Sequence, residues 1–143
     1  MGELTTKSQF SGIQVRVYLE DTDAGGIVYY VNYLRFMERA RTELLRHLGF
    51  DFVRLDAEGF KFVVHKAQVE YHSPALMDDE LFVTAELEKL AKTYVVFQQN
   101  VYRQQQLLCS ARIQVACITV SGLKPAAMPP MVRERFSRLA QPD

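Results

Sequence analysis

Glu20-Asp21-Thr22-Asp23-Ala24-Gly25-Gly26, running straight into Ile27-Val28-Tyr29-Tyr30-Val31-Asn32-Tyr33, is the stretch from which the architecture can be read. Ahead of it Ile13, Val15, Val17 and Leu19 alternate with Gln14, Arg16 and Tyr18, the two-residue period of a half-buried strand. The acids and the Gly-Gly pair break that period and read as a loop. Behind them Asn32 is a candidate helix N-cap, and Tyr33, Phe36, Met37, Ala40, Leu44 and Leu48 recur at helical spacing until Gly49 supplies a stop. Leu34 and Leu45 widen the apolar face, so this helix needs cover on more than one side.

The rest of the chain supplies the cover. A short helical or irregular piece is expected at about 51–58, around Phe52 and Leu55. Strand-like segments follow near 61–73, 79–90, 93–103 and 106–120, with turns at Ser73-Pro74, Lys89 to Lys92 and Gln104 to Gln106. Leu81, Val83, Ala85 and Leu87 make one apolar face; Leu107, Cys109, Ala111, Ile113, Val115 and Cys117 make another. Pro129-Pro130 opens a last amphipathic helix. The order predicts an α+β fold, a single antiparallel sheet wrapped around a long central helix. We read residues 1–143 as one domain, with a loose lead-in over 1–12, a core of about 13–125 and a C-terminal helix of about 129–140. Long strands left at the sheet edge call for a second copy, hence a homodimer and then a dimer of dimers, a homotetramer.

Composition narrows the partners. Seventeen Lys and Arg balance seventeen Asp and Glu, and the basic residues are scattered, so neither nucleic acid nor an anionic membrane finds an electrostatic footprint. The local run Arg35, Arg39, Arg41 and Arg46 is offset by Glu38 and Glu43 and reads as a solvated helix face. No apolar run approaches the roughly 20 residues of a membrane span, and the first residues lack a signal-peptide core. Cys109 and Cys117 are eight residues apart on one strand, roughly 26 Å, too far for a mutual disulfide. They read as small buried hydrophobes of a reducing compartment, and the protein as cytoplasmic.

Chemistry concentrates in the opening loop. Backbone N–H groups at the glycine turn and the helix start lack helical partners and can polarise a carbonyl oxygen or hold an oxyanion. A carboxylate beside them can serve as general base or nucleophile. The same acids also read as turn formers. A calcium loop does not fit, because Gly25 is one position early and the closing Glu is missing, and no His or Cys stands by for zinc; no metal is expected. His47 suits the dipole at the helix end, and His65 and His72 read as surface or satisfied core residues of the second strand.

The run Tyr18 to Tyr33, continuing through Phe36 and Glu38-Arg39-Ala40-Arg41, resembles the signature of the 4-hydroxybenzoyl-CoA thioesterase family, and within it the Tol-Pal-associated acyl-CoA thioesterases of Gram-negative bacteria. Val69-Glu70-Tyr71-His72-Ser73-Pro74-Ala75, then Asp78-Asp79-Glu80-Leu81, resembles the family's second strand and turn, so the likeness runs from about 13 to about 125. The resemblance implies a hotdog fold with active sites at a dimer interface and hydrolysis of acyl-CoA thioesters, coenzyme A being part of the substrate and no cofactor required. It places the catalytic carboxylate on Asp23, with amides near Tyr30 polarising the thioester carbonyl. Gly26, Tyr29 and Asn32 become substrate-binding candidates, and Lys92-Thr93 resembles a basic turn that meets CoA phosphates. It also implies cell-envelope or lipid-synthesis proteins as possible partners. Two departures stand out: many members carry His where Tyr30 stands, and Tyr where Leu19 stands. A Tyr hydroxyl, with a pKa near 10, is a poor base at neutral pH. The rival expectations are a hotdog hydratase, which would need a catalytic His loop, and a non-catalytic acyl-CoA-binding or scaffold dimer.

Overall fold

A computed structural model describes residues 10–140, so most of the expected lead-in lies outside the described residues. The elements are β1 (Gly12–Arg16), α1 (Asn32–His47), α2 (Phe52–Ala57), β2 (Phe60–Tyr71), β3 (Glu80–Thr84), β4 (Glu86–Leu90), β5 (Tyr94–Arg103), β6 (Gln106–Thr119) and α3 (Pro130–Ala140). The strands form one antiparallel sheet in the order β1-β3-β5-β6-β2, with β4 also paired to β5. This is the α+β arrangement expected from the order of elements, one antiparallel sheet around a long helix, and the hotdog fold that the resemblance implies.

α1 lies on the inner face of the sheet because its apolar stripe has no other place to go. Tyr33, Phe36, Met37, Ala40, Leu44 and Leu45 are buried against Val83, Phe97, Val101 and the even-spaced face of β6 from Cys109 to Cys117. Gly49 takes φ +89 and ends the helix where expected, since a left-handed residue there costs glycine nothing. α3 closes the far end of the same core: Phe136 packs on Phe50, Phe62 and Phe97, and Arg135 donates to the Leu48 and Gly49 carbonyls at the C-terminus of α1. The outer face is polar, with Arg112 bound through two nitrogens to Glu88.

Four local expectations change. The first strand ends at Arg16 rather than Leu19: the Asp21 carboxylate accepts from the Tyr18 N–H and Thr22 Oγ1 donates to the Leu19 carbonyl, so a one-turn 3-10 helix forms at Leu19–Asp21. Local side-chain bonds have outcompeted the ladder there, and Leu19 is left exposed. The segment expected as one strand over 79–90 is split at Ala85 into β3 and β4. Leu107 is exposed, and Leu108 is buried in its stead, beside a register shift on β5 between Val101 and Tyr102. Asn32 is the first helical residue and not the N-cap; its side chain is used elsewhere, as described below.

Candidate active site

The loop between β1 and α1 is a short hairpin. Asp23 N–H donates to the Ile27 carbonyl, Tyr29 N–H to the Asp21 carbonyl, and Thr22 bridges Val28. At its tip Asp23 Oδ1 accepts from the Gly25 N–H at 2.8 Å and the Asp23 carbonyl accepts from Gly26, which takes φ +81. Asp23 is thus a turn former through one carboxylate oxygen. Among the described residues none donates to its other oxygen, and the residue is exposed.

Three bonds fix this hairpin to its surroundings. Asn32 is buried, and its Nδ2 donates to the Asp21 carbonyl at 2.9 Å, tying the helix start to the loop base. Val28 N–H donates to the Ala75 carbonyl, and Met77 N–H to that of Gly26. Tyr33 Oη in turn accepts from the Ala75 N–H at 2.8 Å, and burial raises its hydroxyl above the usual tyrosine range. The 74–79 segment is held from outside by Asp79, whose carboxylate accepts from the Leu76 N–H and pairs with Arg103 at 2.7 Å.

The helix start is open. Asn32, Tyr33 and Leu34 donate to Tyr29, Tyr30 and Val31, but among the described residues the Tyr30 and Val31 N–H groups have no backbone acceptor. Two adjacent unpaired amides at the positive end of a sixteen-residue helix suit an oxyanion. Tyr71, at the end of β2, donates its hydroxyl to the Tyr30 carbonyl at 3.3 Å. Its ring meets that of Tyr30 edge-on at 5.9 Å and that of Tyr33 at 5.6 Å, while Tyr29 lies against Tyr30 at 5.1 Å. Tyr71 was missed as a site residue in the sequence. It lies in the Val69–Ala75 stretch that resembles the family's second strand, but as an aromatic at the end of an alternating strand it carries no signal of a site role.

Asp23, Gly26, Tyr29, Tyr30 and Asn32 are therefore gathered at one end of the sheet. Lys92 and Thr93 are not. They precede Tyr94, the first residue of β5, whereas Arg103 at its last residue holds Asp79 of the site end. Ten strand residues separate the two ends by about 30 Å. Lys92 is exposed; its carbonyl accepts from Met128, and that of Thr93 from Cys117. The histidines also stay away from Asp23: His47 stacks on Phe10, His65 lies at the β2 bulge beside Gln114, and His72 sits 3.4 Å from Ser110 Oγ. Both cysteines are buried; burial pushes the Cys109 thiol up to about 12 and raises that of Cys117, the opposite of an activated nucleophile.

The model of the thioesterase-like superfamily matches residues 17–136. An Escherichia coli protein described as acyl-CoA thioester hydrolase YbgC is 44% identical over 125 residues, covering 87% of this chain and 93% of that one. The Haemophilus influenzae acyl-CoA thioesterase YbgC is 41% identical over 126 residues, with the same coverage of 87% and 93%. Among solved structures, a probable thioesterase from Bartonella henselae superposes with TM-score 0.74 at 33% identity, over 84% of this chain and 98% of that one. A Synechocystis 1,4-dihydroxy-2-naphthoyl-CoA thioesterase superposes with TM-score 0.84 at 22% identity over 92% and 98%, a likeness of fold.

Proposed function

The chain belongs to the thioesterase-like superfamily and is an acyl-CoA thioester hydrolase; from that premise we propose that Asp23 carries the reaction and that the Tyr30 and Val31 amides hold the thioester oxygen. The observation that supports this is the division of labour within one carboxylate. Asp23 Oδ1 is anchored by Gly25, which leaves Oδ2 without a donor among the described residues. Oδ2 either takes a proton from water as the water oxygen bonds to the carbonyl carbon, or bonds to that carbon itself and yields an anhydride that water then cleaves. In both courses the negative charge that develops on the carbonyl oxygen is met by the two helix-start amides. Collapse of the tetrahedral adduct then breaks the C–S bond and CoA leaves as a thiolate, which needs no strong acid; this gives the free acid in the first course and, in the second, the anhydride on which water then acts.

The separation of Lys92 from Asp23 is resolved by a second copy. β2 is the longest strand with a free edge, twelve residues, and Val63, Val64 and Tyr71 on it are exposed. Antiparallel pairing of two β2 edges sets the Phe60 end of one beside the Tyr71 end of the other, and so brings Lys92 and Thr93 of the partner subunit towards this subunit's Asp23. A site completed in this way has its carboxylate on one copy and its phosphate-binding turn on the other.

The test is thiol release from a panel of acyl-CoAs by wild type and Asp23→Asn. Asparagine keeps an oxygen for the Gly25 N–H, so the fold survives while turnover falls by about 10²–10⁴. Equal rates for the two proteins would remove Asp23 from the mechanism. Binding without turnover in the wild type would make the chain an acyl-CoA-binding dimer. Turnover in heavy-oxygen water separates the two roles, since only a nucleophilic Asp23 acquires the label.

A further inference from the structure

A second polar feature lies nearly three helical turns beyond the start of α1, and nothing in the reaction above uses it. Gln99 on β5 is fully buried beneath α1. Its Nε2 donates to the carbonyls of Met37 and Thr84, both at 3.0 Å, which leaves Oε1 with a fixed direction. Oε1 accepts from Arg41 Nη1 at 2.9 Å. Among the described residues that is the one acceptor Arg41 has, and none of them brings a carboxylate within ion-pair distance of it. Burial pushes the guanidinium below its usual value, and Glu38, on the exposed face one turn back, acts against that shift. A guanidinium has five donors; here, among the described residues, one is used and the rest are unpaired.

They face empty space. Two cavities, of about 460 Å³ and about 290 Å³, lie between α1 and the strands β2 and β6, and they share Glu38, Arg41 and Val64 in their walls. Apart from those charges, and Arg35 at the exposed rim of the smaller cavity, the walls are mostly apolar, with Leu45, Phe62, Val63, Phe97 and Val115 around the larger one. The smaller one begins at Val31, whose amide is one of the two unpaired donors assigned to the thioester oxygen. From Val31 to Arg41 is ten residues, about 15 Å along the helix, and side chains on a helix lean back towards its start. A thioester held at Val31 therefore has an apolar channel for its acyl chain and a fixed cation near the far end.

We propose that Arg41, oriented by Gln99, is a specificity-determining residue that selects acyl groups carrying an acceptor oxygen, a hydroxyl or a carboxylate, at the end remote from the thioester. The inference rests on the placement of the thioester at the start of α1. A plain hydrocarbon end would leave the guanidinium desolvated and short of partners, whereas an acceptor oxygen completes its hydrogen bonding. A carboxylate gains more from the cation than a hydroxyl does, with Glu38 reducing the margin between them.

The experiment compares octanoyl-, decanoyl- and dodecanoyl-CoA with their ω-hydroxy and ω-carboxy counterparts, in wild type, Arg41→Met and Arg41→Lys. Two readouts are taken: kcat/KM for hydrolysis, and the Kd of the non-hydrolysable thioether analogues. Wild type is expected to favour an oxygenated end over the plain chain of matched length by about tenfold to a hundredfold, the size of a charge-assisted hydrogen bond. Arg41→Met should bring that ratio close to one in both readouts, and Arg41→Lys should restore part of it. Methionine fills the same space without charge, and circular dichroism with sedimentation checks that fold and assembly persist. Hydrolysis with no end-group preference in wild type overturns the assignment of Arg41 and leaves the role of Asp23 standing. A preference among the thioethers with no hydrolysis of any thioester supports Arg41 and removes the catalytic role of Asp23. Dissociation of Arg41→Met into subunits with an unchanged ratio makes Arg41 an interface residue and overturns the proposal.

Discussion

Replacing Gln99 by Leu isolates what the buried amide contributes. Leucine has a similar volume, so the loss is polar and not a cavity. Three interactions disappear: two donations to the carbonyls of Met37 and Thr84, and the acceptance from Arg41. A buried polar group left without a partner costs about 1–3 kcal/mol. The two carbonyls belong to α1 and to the end of β3, where each retains a second lone pair for another partner, so they fall at the low end of that range. Arg41 borders the two cavities, where water can replace the amide oxygen in part. The sum expected is about 3 kcal/mol, or about 6–12 °C in melting temperature for a domain of this size. Urea unfolding followed by circular dichroism reads it directly, with an unchanged slope showing that the folded state is the one altered. A second measurement sharpens the reasoning. In Gln99→Leu/Arg41→Met the guanidinium's share of the penalty is absent, so the double variant should be about 1 kcal/mol more stable than the two single losses added together. A loss below about 1 kcal/mol for Gln99→Leu, or strict additivity in the cycle, would refute the view that this amide is the anchor of Arg41.

Three other perturbations probe different joints. Tyr71→Phe removes the hydroxyl that steadies the Tyr30 carbonyl, and kcat should fall by up to about tenfold, the worth of one neutral hydrogen bond, with KM little changed; a change confined to KM would place Tyr71 on the substrate instead. Asp79→Asn should cost about 1–3 kcal/mol near neutral pH. Burial acts to raise the Asp79 carboxyl, but the Leu76 N–H and Arg103 outweigh it and hold the value below the ordinary carboxylate range. That stability is therefore full above the unfolded-state pKa and is lost as pH falls through the lower folded value, so the two proteins' urea midpoints should converge in acid. Val64→Asp places a charge on the exposed β2 edge, and sedimentation should then find monomers with little turnover; an active monomer would show that one copy holds a complete site.

The order of elements was legible because burial needs so little information to specify. An apolar helix followed by four long strands has one economical packing, and β2, β5, β6 and α3 fall within a few residues of where periodicity places them. The departures share a cause. At Leu19 alternation pointed to strand, yet the Asp21 carboxylate takes the Tyr18 N–H three residues back and the chain turns. At Ala85 the side chain alternates as a strand should, and only the partner β5 decides that β3 and β4 are separate. Asn32 has the chemistry of a cap, but the loop it faces offers a carbonyl eleven residues away, a tertiary fact. Asp51, which does cap α2 by accepting from Val53 and Arg54, has no more sequence signal than many other acids.

For the site the division is different. The cluster from Glu20 to Gly26 drew attention to Asp23 through composition and resemblance, but which of its carboxylate oxygens is occupied is decided by the turn at Gly25. Lys92 shows the limit of linear reading: two candidate site residues can stand in one chain and lie a strand's length apart in the fold. Arg41 shows the reverse. Among Arg35, Arg39, Arg41 and Arg46 it looked like one more charge on a solvated face, and i to i+3 spacing from Glu38 supported that view. What separates it from its neighbours is a buried glutamine fifty-eight residues downstream. A helix whose exposed stripe is interrupted by one guanidinium turned inward cannot be recognised from its own sequence, because the group that turns it belongs to another strand. The orientation of Arg41 is therefore set at a crossing between elements, where a buried amide of β5 holds a charge of α1.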